Sequence, residues 1–308
     1  MSTPRNQLAM RHITVLQHEA TQQLNLSKGS VVVDCTLGSG GHAEEILKVI
    51  GNTGTYIGID ADNTAIKTNN HLHSDYKATI HLMHSNFRDI KKTLSELNVD
   101  SVDAVLADLG WRMEQFDGSS GEKRGFSFQE DEPLHMTFGS PKDYPFTAHD
   151  IINEWDEEDI ANVIYAYGEE HFSRRIAHKI VEVRAEEEIT SSLQLAEIVS
   201  QAVPAPYRRK RTHPATKTFQ ALRIAVNDEF DALKELLTAG IDVLKPGGRM
   251  AIISFHSLED RIVKHTFTEY TRDQKGVLVH KKPITPSLEE QSDNPRSRSA
   301  KLRTIEKI

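Results

Sequence analysis

A glycine-rich turn near the start of the chain has the residue types and spacing of a cofactor site. Residues 34–42 read Asp-Cys-Thr-Leu-Gly-Ser-Gly-Gly-His, and three valines precede them. Glycine lets the backbone approach a ligand where a Cβ atom would clash. A helical pattern over 43–50 follows, and a helix N-terminus presents unpaired N–H groups. The sequence therefore predicts that Gly38, Gly40 and Gly41 contact a nucleotide cofactor.

Four further side chains with ligand-compatible chemistry stand at the ends of predicted strands. They are Asp34, Asp60, Phe87 and Asp108. Ligands of doubly wound sheets bind outside the carboxyl ends of the strands, so these side chains predict one site. Asp60 suits the hydroxyls of a ribose, whereas Phe87 would pack either against an adenine or into the core.

The identity of the cofactor depends on what surrounds the glycines. Residues 38–43 also fit the dinucleotide pattern G-x-G-x-x-G/A, which keeps an NAD-dependent oxidoreductase open. However, three residues separate Asp34 from the first glycine, and a carboxylate at Asp34 would repel a pyrophosphate. The same carboxylate suits an α-amino group or a sulfonium. The turn therefore favours S-adenosylmethionine, which carries both of these groups and no phosphate.

Short β-rich runs and helical patterns alternate along the first part of the chain. The predicted strands are 31–35, 55–59, 78–83 and 102–108, and helical patterns cover 43–50 and 63–74. This alternation predicts βαβ units and a parallel sheet. A loop over 111–145 and a mostly helical stretch then interrupt the pattern. A long helix over 218–244 leads to further strands at 249–254, 276–282 and 301–307, and we expect the last two to pair antiparallel at the sheet edge.

These patterns predict an α/β fold with a Rossmann-like sheet and an inserted helical domain. Residues 1–112 and 213–308 would form the sheet domain, and residues 113–212 the insertion. We expect the insertion to recognise the substrate.

Composition restricts the class of protein. The chain has 308 residues, of which 38% are hydrophobic and 27% charged. No apolar run approaches the roughly 20 residues of a membrane span, and the N-terminus lacks a signal sequence. Cys35 is the single cysteine, which excludes internal disulfides and cysteine-based metal sites. We expect a cytoplasmic protein with no metal and no membrane partner.

A basic segment offsets the net charge of -8, which by itself argues weakly against a nucleic-acid partner. Its four consecutive cations are Arg208, Arg209, Lys210 and Arg211. The segment is either a phosphate-binding surface or an ordinary solvated charge run.

Blocks across the chain resemble the RsmH (MraW) family of 16S ribosomal RNA cytosine-N4 methyltransferases. The blocks include residues 12–19, 34–42, 58–60, 86–87, 108–110, 124–128, 167–170, 213–216, 218–227, 254–264 and 294–299. The resemblance implies a Rossmann-like S-adenosylmethionine-dependent methyltransferase. It implies cofactor contacts at Gly40, Gly41, His42, Asp60, Phe87, Asp108 and Gln115. The implied substrate is a cytidine in the decoding region, within 16S ribosomal RNA or the small ribosomal subunit.

Two departures from the family pattern fall where a target base would enter. The family continues Asp-Leu-Gly with Val-Ser-Ser, whereas this chain has Trp-Arg-Met at 111–113, and His135 replaces a family aspartate. A different RNA or DNA amine therefore stays an alternative substrate. An alternative function is that of a non-catalytic RNA-binding protein with the same fold.

Methylation of an exocyclic amine requires alignment of a poor nucleophile with the methyl group. Asp108 could accept hydrogen bonds from the amine, which would make it catalytic, or it could contact the cofactor alone. Trp111 could stack on the target base or pack in its loop. His256 could border the base pocket, or the 254–257 segment could simply cap a helix with Ser257 as N-cap.

Overall fold

The computed structural model describes residues 14–110 and 123–308. The chain divides into two compact units. The first, here called the sheet unit, runs to Gly110 and resumes from Leu236 to Ile308, and the second, the helical unit, ends at Glu235.

Seven strands within the described residues form one sheet, in the order β3-β2-β1-β4-β5-β7-β6. They are β1 (Val31–Asp34), β2 (Thr55–Asp60), β3 (Thr79–His84), β4 (Val102–Asp108), β5 (Leu244–Ser254), β6 (Gly276–Leu278) and β7 (Lys301–Lys307). The first five strands are parallel, and β7 pairs antiparallel with both β5 and β6. The structure thus confirms the Rossmann-like α/β class and the antiparallel edge. The sixth strand is shorter than predicted, and the fifth begins earlier.

The helices before the insertion are α1 (Gln17–Gln23), α2 (Gly41–Ile50), α3 (Asn63–Thr68), α4 (Leu72–Asp75) and α5 (Ile90–Glu96). Those of the helical unit are α6 (Ala148–Glu154), α7 (Glu157–Gly168), α8 (Ser173–Arg184), α9 (Ser192–Ala202), α10 (Ala205–Arg208) and α11 (Thr216–Asn227). Helix α12 (Glu229–Val243) contributes residues to both units, and α13 (Ser257–Arg272) and α14 (Leu288–Asp293) belong to the sheet unit.

Each unit has its own apolar core. In the sheet unit, Val32 and Val33 of β1 and Ile57 of β2 are fully buried, as expected of parallel strands covered on both faces. In the helical unit, α7 and α8 supply buried isoleucines, among them Ile164 and Ile176.

The return of the chain to the sheet unit differs from the prediction. The predicted boundary lies at 213, whereas the structure returns at Leu236. The reason is α11, because its Phe219 and Leu222 belong to the core of the helical unit. A helix that contributes two buried side chains to a core belongs to that core, whatever its position in the sequence.

The predicted long helix over 218–244 is wrong, because α11 and α12 are separate helices. Asp228 between them adopts a left-handed conformation with φ of 48°. The side chain of Asn227 donates to the carbonyl of Met136 at 2.7 Å and accepts from the N–H of Phe138 at 2.9 Å. These contacts fix the end of α11 within the helical unit. Among the described residues, no helix is long and apolar enough to cross a membrane.

Candidate active site

The glycine-rich turn connects β1 to α2 and is held by the end of β2. The N–H of Gly38 donates to Oδ2 of Asp60 at 2.9 Å, and its carbonyl accepts from Nδ2 of Asn69 at 3.0 Å. Gly40 is the N-cap of α2, with φ of 85°. A Cβ atom at Gly40 would lie 2.0 Å from Oδ1 of Asn69. The turn is therefore packed against the protein, and glycine is required at position 40.

Gly41, the first residue of α2, is equally constrained by the chain itself. A Cβ atom there would lie 1.8 Å from Oγ1 of Thr14, and the Gly41 carbonyl accepts from Nε2 of Gln17 at 2.6 Å. The prediction attributed these glycines to close approach of a ligand. In the structure, neighbouring side chains already exclude a Cβ atom at Gly40 and Gly41.

Asp34, at the end of β1, lies in a different setting from the predicted one. Its side chain is fully buried, and its two carboxylate oxygens accept from the O–H of Tyr56 at 2.8 Å and the N–H of Thr36 at 3.1 Å. Burial raises the pKa of Asp34, and the His42 charge and both hydrogen bonds offset only part of this effect. Both oxygens of Asp34 thus have a partner inside the protein, and contact between Asp34 and the cofactor stays a prediction.

His42 lies in the first turn of α2 and is almost completely buried. Its Nε2 atom is 3.6 Å from Oδ2 of Asp108, at the end of β4. Burial lowers the pKa of His42, but Asp108 and the charge of Asp34 raise it more, so that the pKa lies above its usual value. The charges of Asp108 and Asp34, on neighbouring strands, thus favour the protonated form of the imidazole.

Asp60 and Phe87 occupy the ends of β2 and β3. Oδ1 of Asp60 accepts from the N–H of Asp62 at 2.8 Å, so both of its oxygens also hold the backbone of the site. Phe87 begins the short 3₁₀ turn Phe87–Asp89 and is half-buried, which leaves part of its ring exposed at this edge.

His256 follows β5, the strand next to β4. Asp108 pairs with Ile253 in the sheet register, so the segment after Ser254 lies at the same edge as Asp108. His256 itself is the N-cap of α13 and forms a capping box with Glu259, whereas Ser257 is the first helical residue. The predicted cap at Ser257 is therefore off by one residue.

The other predicted residues are Trp111, Gln115 and the basic segment 208–211. Trp111 and Gln115 fall outside the described residues. The predicted basic segment lies in the helical unit, and all four of its cations are exposed: Arg208, Arg209, Lys210 and Arg211.

Sequence reasoning missed three residues that build the site. Asn69 is fully buried and holds the glycine turn, Tyr56 holds Asp34, and Oγ1 of Thr36 accepts from the N–H of Asp108 at 2.7 Å. Thr36 lies inside the glycine-rich block and could have been considered, but no spacing signal marks Asn69 or Tyr56.

Several polar atoms at the site are buried without a hydrogen-bond partner in the part of the chain that the structure describes. They are Oδ1 of Asn69, Oδ1 of Asp108 and both ring nitrogens of His42. The two oxygens can accept from amino or hydroxyl groups of a ligand, and a buried polar atom gains from such a partner. These acceptors fit S-adenosylmethionine, whose amino group and ribose hydroxyls are donors.

A Rossmann-like sheet of this order, with the antiparallel strand β7, is the fold of the S-adenosylmethionine-dependent methyltransferases. Within that class, the chain belongs to the MraW methylase family, whose pattern matches residues 9–308. This membership rules out the dinucleotide-dependent oxidoreductase.

Curated relatives match the chain over almost its whole length. A protein of Brevibacillus brevis named ribosomal RNA small subunit methyltransferase H is 45% identical, over 98% of this chain and 99% of its own. Proteins of the same name from Clostridium botulinum and Halothermothrix orenii are 42% and 41% identical. They cover 98% and 97% of this chain, and 100% and 99% of their own.

Proposed function

We propose that this protein transfers a methyl group from S-adenosylmethionine to N4 of a cytidine in the decoding region of 16S ribosomal RNA. The proposed substrate is supported by a relative named for small-subunit ribosomal RNA, to which this chain is 45% identical over 98% of its length. The sheet unit would bind the cofactor, the helical unit would recognise the RNA, and the protein would act in the cytoplasm.

The chemistry requires that N4 of the cytidine be aligned with a methyl group on a cationic sulfur, which the cofactor supplies. The N4 lone pair is delocalised into the ring, so N4 is a weak nucleophile. Asp108 is suited to orient N4 for this transfer, because its Oδ2 atom faces His42 while its Oδ1 atom has no partner among the described residues. A hydrogen bond from N4–H to Oδ1 of Asp108 would orient N4 toward the methyl group. The same hydrogen bond would make the lone pair of N4 more localised on the nitrogen.

The proposed cofactor contacts follow the ends of β1, β2 and β3. Asp60 would accept from ribose hydroxyls, Phe87 would pack on the adenine, and the backbone at Gly38–Gly40 would approach the ligand. Gln115 and Trp111 stay predictions for cofactor contact and base stacking. His256, at the end of β5, would border the target base.

The decisive experiment maps the modification. Small-subunit RNA from cells lacking the gene is incubated with the protein and S-adenosylmethionine, digested, and analysed by mass spectrometry. The expected product is one N4-methylated cytidine in the decoding region. Methylation of another RNA or DNA amine would establish the alternative substrate. Calorimetry with S-adenosylhomocysteine shows separately whether the cofactor site functions.

A further inference from the structure

Two separate stretches of the helical unit expose several cations. Arg174 and Arg175 lie in the first turn of α8 and are exposed. The exposed segment 208–211 begins at Arg208, the last residue of α10. Of these two stretches, only the segment 208–211 was predicted from the sequence as a basic segment. No sequence pattern connects these two stretches, because they are more than thirty residues apart.

Tyr207 joins the two stretches. Its O–H donates to Oε2 of Glu170 at 2.5 Å, and its ring meets the ring of Phe172 edge-on, with centroids 5.0 Å apart. Glu170 is fully buried, and its Oε1 atom accepts from the N–H of Phe172 at 2.9 Å. Burial and Glu170 raise the pKa of Tyr207 to about 12, so that its hydroxyl stays a donor at neutral pH. The start of α8 and the end of α10 are thus fixed to each other.

The cations on these stretches are available to a ligand. Arg174, Arg208, Arg209 and Arg211 form no ion pair with a carboxylate of the described residues. Arg175 lies over the ring of Phe172 at 5.9 Å, and Lys210 lies over the ring of Tyr207 at 4.4 Å. A cation that lies over an aromatic ring keeps its N–H groups for other acceptors.

Two basic residues near the C-terminus, Lys301 and Arg303, differ because each is paired with an acid. On β7, Lys301 and Arg303 donate to the two oxygens of Asp260, at 2.8 Å and 2.6 Å. Both cations are thus paired with the same carboxylate. In the helical unit, the two oxygens of Glu170 accept from the neutral donors Tyr207 and Phe172, and Glu170 forms no ion pair with the described arginines.

We propose that Arg174, Arg175 and residues 208–211 form one phosphate-binding surface for an RNA strand, here called the basic ledge, which the Tyr207–Glu170 hydrogen bond holds together. This inference rests on the proposed function for the identity of its RNA. Arginine binds phosphate oxygens through two parallel N–H groups, which suits a surface rich in unpaired arginine. Tyr207 is a positioning residue, because it orders the cations and does not itself contact phosphate.

The test measures affinity for a fluorescent fragment of decoding-region RNA by anisotropy, over a range of salt concentrations. The variants are Arg174→Gln, Arg208→Gln and their combination. Lys142→Gln is the matched control, since Lys142 is also an exposed, unpaired cation of the helical unit. Each arginine variant should weaken binding and make the slope of log affinity against log salt shallower by about 0.7, and the double variant by about 1.4. Lys142→Gln should match the wild type.

Tyr207→Phe tests the positioning role. This variant keeps the ring but loses the hydroxyl, so the cations remain but are less ordered. Affinity should fall about two- to tenfold while the salt slope stays unchanged. Unchanged affinity would overturn the positioning role, and wild-type slopes in both arginine variants would overturn the ledge.

Further measurements distinguish failure of this inference from failure of the proposed function. Equal loss in Lys142→Gln would show a general charge effect and overturn the ledge. Equal competition by poly-glutamate would overturn the assignment to RNA and favour an acidic protein partner. If the wild type binds no RNA fragment, the ledge is wrong, whereas the mass-spectrometric map of the methylated RNA decides the proposed function independently.

Discussion

His42 Nε2 lies 3.6 Å from Asp108 Oδ2, inside a protein interior where almost no water reaches the imidazole. The pair joins the first turn of α2 to the end of β4. It leaves Oδ1 of Asp108 without a partner among the described residues. His42 therefore faces one oxygen of the carboxylate at ion-pair distance, and the other oxygen stays open to a ligand.

His42→Gln should destabilise the protein most at low pH. The folded-state pKa of His42 is raised above 6.5, so folding favours the protonated imidazole. Its contribution to stability is then complete below pH 6.5 and is lost as pH rises through the folded-state pKa. The measurement is the difference in Tm between wild type and His42→Gln from about pH 5 to pH 9.

The control for this profile is His265→Gln, because His265 is exposed on α13. That variant should show a small Tm difference at every pH. If the Tm loss of His42→Gln instead grew with pH, the imidazole would be neutral in the folded protein, and the expectation that Asp34 and Asp108 favour its protonated form would be wrong.

Asp108→Asn separates its catalytic role from a role in cofactor binding alone. The substitution preserves the shape of the side chain but removes its charge. If Oδ1 orients the target amine, the single-turnover rate at saturating cofactor should fall about 10²-fold, the cost of misaligned reacting atoms. The affinity for S-adenosylhomocysteine, measured by calorimetry, should fall much less.

Asp60→Asn is the comparison for Asp108. We expect Asp60 to bind the ribose, so this variant should lose cofactor affinity and keep most of its rate at saturation. An Asp108→Asn variant with the same profile as Asp60→Asn would assign Asp108 to the cofactor alone.

The sequence predicted the sheet and its edge because strand periodicity is a local property. Six of the site positions, Asp34, Gly38, Gly40, Gly41, Asp60 and Asp108, could be placed from strand ends and glycine spacing. What Asp34 contacts could not be predicted. Its partner Tyr56 lies on another strand, and no spacing rule links an aspartate to a tyrosine 22 residues later.

The break between α11 and α12 has the same kind of origin. Residues 218–244 have a helical pattern throughout, and nothing local requires Asp228 to be left-handed. The cause is tertiary, since Asn227 bonds to backbone groups of Met136 and Phe138, about ninety residues earlier. Local propensity therefore located the helical stretch but not its division, and the domain boundary at 213 was misplaced for the same reason.

Gly40→Ala should cost more than a left-handed backbone alone explains. Alanine at φ of 85° is strained, and its Cβ atom would lie 2.0 Å from Oδ1 of Asn69. Gly247→Ala is the matched control, because Gly247 has φ of 79° and nothing within 4 Å of the added Cβ atom. The control should lose about 1–2 kcal/mol of unfolding free energy.

Gly40→Ala should lose clearly more stability than this control, and it should also weaken binding of S-adenosylhomocysteine, since Asn69 must move. Denaturant unfolding and calorimetry measure the two effects. Equal stability losses in the two variants, with unchanged cofactor affinity, would mean that the close approach of Gly40 and Asn69 affects neither stability nor cofactor binding.

Tyr56→Phe tests whether Asp34 is a structural carboxylate. The variant keeps the buried ring and removes the donor to Oδ2 of Asp34, which is fully buried. A buried acceptor that loses its donor costs about 1–3 kcal/mol. The pKa of Asp34 is already raised by burial, and loss of a donor that lowers it should raise this pKa further.

The stability loss of Tyr56→Phe should therefore depend on pH. Below the unfolded-state pKa, near 3.8, Asp34 is protonated in both states and the loss should be small. As pH rises through the raised folded-state pKa, ionisation must occur in a less favourable site, and the loss should increase to its full value. Tyr76→Phe is the control, because the Tyr76 hydroxyl has no hydrogen-bond partner among the described residues, and it should change stability by less than about 0.5 kcal/mol. A loss independent of pH in Tyr56→Phe would mean that the tyrosine acts through packing and not through Asp34.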